Sequence, residues 1–142
     1  MPRKRLSPEV RKKLEVVAIP MRKERGTILF REGTPCPGAY LIRRGKVRLT
    51  LDAASRVYPA RILGSGFLIG LPATLSGGPY SLTAQVKETC RVDFIPRAKL
   101  LKLVRGNPRV GIQILRTLSD EIFLMRNVAK RRLEAASSLH VH

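Results

Sequence analysis

The sequence predicts a mostly β fold, an antiparallel sandwich or a rolled barrel, with helices before and after it. Three observations support this prediction. Apolar and polar residues alternate along Lys46–Leu51, which is the period of a strand with one buried face. Similar short runs recur between glycines, as in sandwiches and barrels, and beyond Pro96 the apolar spacing becomes helical. The glycines that separate the runs are Gly33, Gly38, Gly45, Gly64 and Gly66.

Residues 1–25 form a basic N-terminal segment in which we expect one short helix. The segment holds nine Lys or Arg against three Glu. Ser7 is typical of an N-cap and Pro8 of the first helical position, and Glu9 lies where the helix dipole favours a negative charge. The helix is expected to end before Pro20, because proline cannot continue it.

The strands are predicted within residues 26–96. Arg44–Gly45 predicts a turn between two of them. The remaining runs with strand character are Ile28–Arg31, Tyr40–Ile42, Val57–Leu63, Tyr80–Lys87 and Cys90–Ile95. A chain of 142 residues is large enough for one domain with its own hydrophobic core.

One run of 25 residues, Ile62–Val86, carries no charge in a strongly basic chain. Its length would suffice for a membrane span. Five glycines and two prolines within the run argue against a span, because they interrupt a helix repeatedly. The run therefore predicts a strand, a tight turn, a short helical turn and a second strand inside the domain, and we expect no membrane contact.

Residues 97–142 are predicted to form a short helix and then a long one. The short helix, Arg97–Val104, is stopped by Gly106–Pro108, and the long helix continues to about Ala136. Apolar residues recur along it at alternating steps of three and four, a heptad-like seam that predicts a homodimer. The alternative is that this helix packs on its own barrel. The predicted seam consists of Leu115, Leu118, Ile122, Met125 and Ala129.

The net charge of +18 favours contact with nucleic acid, an acidic partner or an anionic surface. The positive residues are dispersed along the chain, which is weaker evidence for a binding groove than a continuous stripe. The basic N-terminus precedes a charged segment rather than an apolar one. We therefore expect no secretory signal and a cytoplasmic location.

Metal and catalytic sites are not predicted. Cys36 and Cys90 are far apart in sequence and lack a Cys-x-x-Cys pattern, so one chain cannot build a four-thiolate cluster from them. Cys90 lies in a strand-like run and is expected to be a buried residue. His140 and His142, the two histidines, stand at the C-terminus. No Ser/His/Asp set or pair of carboxylates is recognisable, so we expect no enzyme activity.

Two phrases of the sequence resemble the cyclic nucleotide-binding domain, and the sensor half of bacterial regulators related to the catabolite activator in particular. They read GTILFREGTPCPGAYLIRRGKVRLTL and GSGFLIGLPATLSGGPYSLTAQV, and Asn107–Pro108 and a long helix follow them. The resemblance covers about residues 14–136. It implies an eight-stranded β-roll of the double-stranded β-helix, jelly-roll-like type with flanking helices, in which the last helix is dimer interface and relay.

In that family the second phrase is a phosphate-binding cassette, here residues 66–84. The resemblance places Gly70 at the family's glycine and Ser81 at its hydroxyl residue. Leu71 stands where the family has the Glu that binds the ribose, and Tyr80 where it has the Arg that binds the phosphate. Hydrogen bonds to charged groups contribute about 1.5–3 kcal/mol each. Losing two would weaken affinity very roughly 10²- to 10⁴-fold, so we expect no cyclic nucleotide cofactor.

Two interpretations of the cassette stay open at this point. It binds a different small-molecule effector of apolar or aromatic character, or it is vestigial and its apolar residues are core. In either case the chain is interpreted as a non-enzymatic regulatory sensor domain. The candidate ligand-binding residues are Leu68, Ile69, Gly70, Leu71, Ala73, Tyr80, Ser81 and Leu82, with Met125 and Arg126 from the last helix.

A nucleic-acid-binding or protein-interaction module that uses the fold as a scaffold is the alternative function. Relatives bind DNA through a helix-turn-helix module after the long helix, and this sequence ends at His142 without one. We therefore expect contact with nucleic acid only through the basic surface, with a steep dependence on salt.

Overall fold

A computed structural model describes residues 6–53 and 56–117 of the chain, and it is mostly β with flanking helices, as the sequence predicts. The elements are α1 (Pro8–Val17), β1 (Ile19–Lys23), β2 (Ile28–Phe30), β3 (Gly38–Ala53), β4 (Arg56–Leu63), β5 (Leu68–Ile69), α2 (Leu71–Ser76), β6 (Thr83–Pro96), α3 (Arg97–Gly106) and α4, the helical residues 108–117. All strand pairs are antiparallel. β6 pairs with β1, β2 and β3, and β3 also pairs with β4 and β5.

The N-terminal helix begins as the sequence predicts. Ser7 is the N-cap, and its Oγ accepts from the backbone N–H of Val10 at 3.3 Å. The same hydroxyl accepts from Nε2 of Gln113 at 2.9 Å, while Oε1 of Gln113 accepts from the backbone N–H of Ser7 at 3.0 Å. This reciprocal pair joins the start of α1 to α4, so the two terminal helices form one layer.

Two hydrophobic cores result, one inside the roll and one between the sheet and the helices. Neighbouring strand residues alternate between them, as the period of two requires. In β5, Leu68 packs in the helix-side core and Ile69 in the roll core. The helix-side core also contains Leu100 of α3 and Ile114 of α4. The short strand β5 therefore connects the interior of the roll to the helix layer.

The described residues form six strands, and the count of eight is not confirmed. Strands that the sequence predicts as separate are joined in the structure, because β3 and β6 are continuous strands of 16 and 14 residues. The predicted turn at Arg44–Gly45 is wrong for the same reason. Gly45, at φ 95°, lies at a register shift within β3, and a Cβ there would come within 2.5 Å of the Thr89 carbonyl oxygen. Glycine at this position therefore allows β3 and β6 to approach each other closely at the irregularity.

The predicted helix after Pro96 is confirmed as α3, and α4 begins after Asn107. The length predicted for the last helix lies outside the described residues beyond 117. Within the described ranges, no helix combines the length and hydropathy needed to cross a membrane.

Candidate functional site

The cassette lies between β5 and β6, where two glycines bound the short helix α2. Gly70 precedes it at φ 84° and Gly77 follows it at φ 81°. Both values are in the left-handed region that favours glycine. At Gly70 a side chain would meet a second obstacle, because its Cβ would lie 3.1 Å from Cε1 of Tyr80. Glycine at position 70 therefore allows the backbone to turn into α2 with Tyr80 packed against it.

Tyr80 is 3% exposed and fills the space in front of the cassette. Its ring stacks on Phe30 with 4.0 Å between the centroids and 10° between the planes. Its hydroxyl donates to the carbonyl oxygen of Gly38 at 2.6 Å. Burial, with a smaller effect of the neighbouring Cys36, raises the pKa of the Tyr80 hydroxyl well above its ordinary value. The phenol stays protonated and acts as a hydrogen-bond donor.

The cavity that remains beside Tyr80 has a volume of about 10 Å³. A single water needs roughly 10–15 Å³, and small-molecule pockets measure about 300–1,000 Å³. The site therefore has room for at most one water in this conformation. No lining residue is charged; they are Phe30, Leu49, Gly70, Pro72, Ala73, Tyr80, Ser81 and Leu82.

The candidate residues from the sequence divide into three groups. Five of them line the small cavity: Gly70, Ala73, Tyr80, Ser81 and Leu82. Leu68, Ile69 and Leu71 are core residues: Leu68 and Leu71 lie in the helix-side core and Ile69 in the roll core, each fully buried. Met125 and Arg126 lie outside the described residues.

Leu71, which the resemblance aligns with the family's ribose-binding Glu, has a side chain that packs in the helix-side core. It is 0% exposed and belongs to the cluster that contains Leu100 and Ile114. At this position the chain has an apolar contact between α2 and the helix layer in place of a ligand-binding carboxylate.

Sequence reasoning did not place Phe30 and Leu49 at the site, although the alternation of their strands indicates that both face the interior. Phe30 comes from β2 and Leu49 from β3, and both pack in the roll core. The pairing of β2 with the start of β6 brings Phe30 beside Tyr80. That pairing is a long-range contact with no local signal in the sequence.

A small polar cluster closes the other side of Tyr80. The Gly38 carbonyl oxygen accepts from the Tyr80 hydroxyl and also from Sγ of Cys36, at 3.4 Å. Sγ of Cys36 lies 3.3 Å from Oγ1 of Thr74, which in turn donates to the Gly70 carbonyl oxygen at 2.7 Å. With both protons donated to carbonyl oxygens, the approach of Cys36 to Thr74 is a packing contact. Hydrogen bonds at the Gly38 carbonyl thus join Tyr80 to the loop before β3, and this loop packs against α2. Cys36 and Cys90 are free thiols.

Cys90 is fully buried in the roll core, as predicted. Burial raises the pKa of its thiol. Within the described residues, no group of three or more His, Cys, Asp and Glu side chains could hold a metal ion.

The cation that lies against the cassette helix is Arg97, the first residue of α3. Its Nε donates to the carbonyl oxygen of Thr74 at 2.9 Å, and its guanidinium lies beside Gly77. These contacts are at the C-terminal end of α2, where the partial negative charge of a helix favours a cation. Arg97 therefore stabilises the helix end and joins α2 to α3, and it is not among the residues that line the cavity.

The predicted dimer seam is described at one position. Leu115 of α4 is 59% exposed, and Ile112 beside it is exposed as well. Leu118, Ile122, Met125 and Ala129 lie outside the described residues, so the seam stays a prediction.

Comparisons with known proteins agree with this architecture. The family model described as the cyclic nucleotide-binding domain matches residues 20–107. A search of curated proteins gave no significant match.

Solved structures with the same fold include two bacterial regulators. CLP, the c-di-GMP-responsive global regulator of Xanthomonas campestris, is 19% identical with a TM-score of 0.75, over 88% of this chain and 64% of that chain. The catabolite activator protein of Thermus thermophilus is 25% identical with a TM-score of 0.69, over 96% of this chain and 60% of that chain. The chain thus spans less than two thirds of either regulator.

A cyclic nucleotide-binding domain from Methylobacillus flagellatus is also similar. It is 23% identical with a TM-score of 0.71, over 92% of this chain and 74% of that chain.

Proposed function

This chain belongs to the cyclic nucleotide-binding domain family, and we propose that it is a non-enzymatic regulatory domain whose cassette is closed by its own side chains and does not bind cyclic AMP tightly. The observation that carries the proposal is the position of Tyr80. Its ring lies on Phe30 at 4.0 Å, and the cavity beside it measures about 10 Å³. A nucleotide would have to displace this ring before entering.

The cost of displacing the ring can be given an order of magnitude. An aromatic pair contributes about 0.5–1.5 kcal/mol beyond its buried area, and a hydrogen bond about as much. Opening the site therefore costs at least about 1–3 kcal/mol, which weakens apparent affinity roughly 5- to 150-fold. This factor multiplies the loss caused by the missing Glu and Arg.

The charges support the same proposal. A cyclic phosphate is an anion, and no cationic side chain of the described residues lines the cavity. Arg97 is held by the Thr74 carbonyl at the far end of α2. An anion at the cassette would lose its water without gaining a charged partner among these residues, which is unfavourable in a buried site.

Calorimetric titration with cyclic AMP and cyclic GMP tests the proposal. The unaltered protein and Tyr80→Phe, which keeps the ring, are expected to show no binding at micromolar ligand. Tyr80→Arg removes the ring and supplies the missing guanidinium, so it should bind at least about tenfold more tightly. Leu71 is left unchanged, because its side chain packs in the helix-side core and does not line the cavity. The fold of Tyr80→Arg is checked by circular dichroism before titration, because a guanidinium in place of this buried ring costs stability until an anion binds. Micromolar or tighter binding by the unaltered protein would show that the cassette is functional.

A closed cassette is compatible with an effector of another kind. The residues around Tyr80 are apolar and include Phe30, Leu49 and Leu82. A flat, uncharged aromatic molecule could take the place of the Tyr80 ring on Phe30. A thermal-shift screen of such molecules would find it, because a ligand selective for the folded state raises the midpoint of unfolding. A screen without any shift would favour a vestigial site.

We further propose that the chain acts within transcription regulation, as the effector domain of a cytoplasmic regulator. Its similarity to two bacterial regulators supports this proposal. The prediction of a helical segment over residues 1–25 is wrong at its end, because Ile19–Lys23 is the strand β1, paired with β6. In the proposed organisation, residues 1–25 are a basic segment that contains α1 and β1, residues 26–96 the roll with the cassette at 66–84, and residues 97–142 the helices of a homodimer. Sedimentation at high protein concentration tests the dimer, and a monomer there would contradict the seam.

The alternative is a nucleic-acid-binding or protein-interaction module on the same scaffold. The charge of the described residues favours this alternative, since 21 Lys or Arg accompany seven Asp or Glu in residues 6–53 and 56–117. This alternative would be preferred if no ligand bound the cassette while a polyanion bound the basic surface of the protein.

A further inference from the structure

Three exposed arginines stand in one row across three neighbouring strands. Arg22 of β1 is the register partner of Arg91 of β6, and Arg91 is also the partner of Arg44 of β3. Directly paired residues of an antiparallel sheet project on the same face, with Cβ atoms about 5 Å apart. Arg22, Arg44 and Arg91 are hereafter called the arginine row.

An irregularity in β3 brings Arg44 into this row. The register shifts between Ile42 and Arg44, so Arg43 is an extra residue opposite β6. Arg43 has its own partners on the same outer face. Its guanidinium NH1 lies 3.1 Å from Oδ2 of the buried Asp93 and 3.4 Å from Oε1 of Glu15 in α1. Arg43 thus attaches α1 to the sheet, and Arg44 projects beside Arg91.

The row is poorly neutralised by the protein itself. Arg22 pairs at 3.3 Å with Glu24, and both side chains are largely exposed, so water and salt screen this pair. The side chains of Arg44 and Arg91 have no hydrogen bond or ion pair with any residue in the described parts of the chain. Like charges directly opposite each other destabilise a sheet. A bound anion would relieve this repulsion.

A groove of about 330 Å³ runs along one side of the row. Arg22, Arg43 and Arg91 line it, together with Asp93. The cassette, in contrast, has a cavity of about 10 Å³ with no charged lining residue. In the described residues, the groove rather than the family's own site offers guanidinium groups to an anion.

We propose that the arginine row is a binding surface for the phosphate backbone of nucleic acid. Guanidinium groups present paired N–H donors that match phosphate oxygens, and three of them in a line suit successive phosphates. A protein partner would need an apolar centre in the interface. Among the described residues, the exposed large hydrophobic nearest to the row in sequence is Ile19, which alternation places on the opposite face of β1 from Arg22. The chain's net charge of +18 adds long-range attraction. This proposal does not depend on what the cassette binds.

Fluorescence anisotropy with a labelled DNA duplex, measured from low to moderate salt on the full chain, tests the surface. The test variant is Arg22→Gln/Arg44→Gln/Arg91→Gln. Each lost phosphate contact reduces the slope of log affinity against log salt by about 0.9, so the expected reduction is about 2.7. The matched control, Lys99→Gln/Lys102→Gln/Arg105→Gln, removes the same charge from exposed residues of α3 and should change the slope by less than one.

Two further measurements make the outcome decisive. The lysine variant Arg22→Lys/Arg44→Lys/Arg91→Lys keeps the charge and should keep most of the slope. The glutamine variant should have an unchanged or higher thermal midpoint, because it removes like-charge repulsion, so a misfolded protein cannot explain its loss of binding. Equal losses in the row variant and the α3 control would overturn the proposal. Displacement of DNA by poly-glutamate at equal charge concentration would also overturn it, in favour of an acidic protein partner.

Discussion

Truncation of Tyr80 is the perturbation with the largest expected effect on the cassette. Tyr80→Ala removes a ring that is 3% exposed, stacked on Phe30 at 4.0 Å, and bonded through its hydroxyl to the Gly38 carbonyl. Replacing large buried aromatic residues by alanine costs about 3–5 kcal/mol, and we expect a loss in this range in the free energy of unfolding. Tyr80→Phe removes the hydroxyl alone and should cost about 0.5–1.5 kcal/mol.

Urea unfolding at constant pH, followed by circular dichroism, measures both losses from the midpoint and the slope. A second readout uses the space that the alanine variant creates. Apolar cavities of comparable origin bind benzene, so benzene or phenol should raise the midpoint of Tyr80→Ala more than that of the unaltered protein, in which the ring must first be displaced. The cavity lining of Phe30, Leu49 and Leu82 suits such a ligand. A loss below about 1 kcal/mol for Tyr80→Ala, together with no response to benzene, would refute the reasoning that this ring fills the site.

Three other predictions follow from the same contacts. Burial raises the pKa of Tyr80, so the protonated hydroxyl contributes its full stability below pH 10 and this contribution is lost as the pH rises further. In urea unfolding at alkaline pH, the stability of Tyr80→Phe should therefore fall less steeply with pH than that of the unaltered protein, by up to about 1.4 kcal/mol per pH unit. Gly70→Ala should cost more than Gly26→Ala in thermal unfolding, since both have positive φ but a Cβ would contact Tyr80 at Gly70 and nothing at Gly26. Asp93→Asn should lower the free energy of unfolding by about 1–2 kcal/mol, because Arg43 keeps its ion pair with Glu15 but loses the ion pair with the buried carboxylate. An unchanged midpoint in urea unfolding would contradict this role of Asp93.

Local chemistry made several features predictable from the sequence. Ser7 and Pro8 mark the start of α1, because a hydroxyl beside the first turn and a proline without an N–H suit a helix N-terminus. The resemblance aligned Gly70 with the family's glycine, and in the structure this residue precedes α2 at φ 84°, where glycine is favoured. The alternation in β3 and the burial of Cys90 also follow from the period of two.

The orientation of Leu71 and the residues that contact Tyr80 could not be predicted from the sequence, because both depend on contacts between segments that are distant in the chain. Leu71 begins a helix of six residues, too short to show which face is buried, and the core in which it packs is assembled from α1, the sheet, α3 and α4. Tyr80 meets Phe30 because β2 pairs with β6. The sequence predicts a turn at Gly45, whereas the structure has a bulge within β3, because both features favour a glycine between two strand-like runs.

If the proposed function is correct, the presence of Leu71 and Tyr80 in the cassette has a consequence for how the domain is regulated. In a ligand-dependent domain, the ligand stabilises the bound arrangement of the cassette helix by an amount that grows with the logarithm of ligand concentration above the Kd. Here α2 is held by Leu71 in the helix-side core, by the hydrogen bond of Arg97 to Thr74 and by the packing of Cys36 against Thr74, all from the same chain. Contacts within one chain do not depend on the concentration of a nucleotide. The cassette helix would then stay attached to α3 at every nucleotide level, and a signal could change it only by acting on Tyr80 or on those contacts.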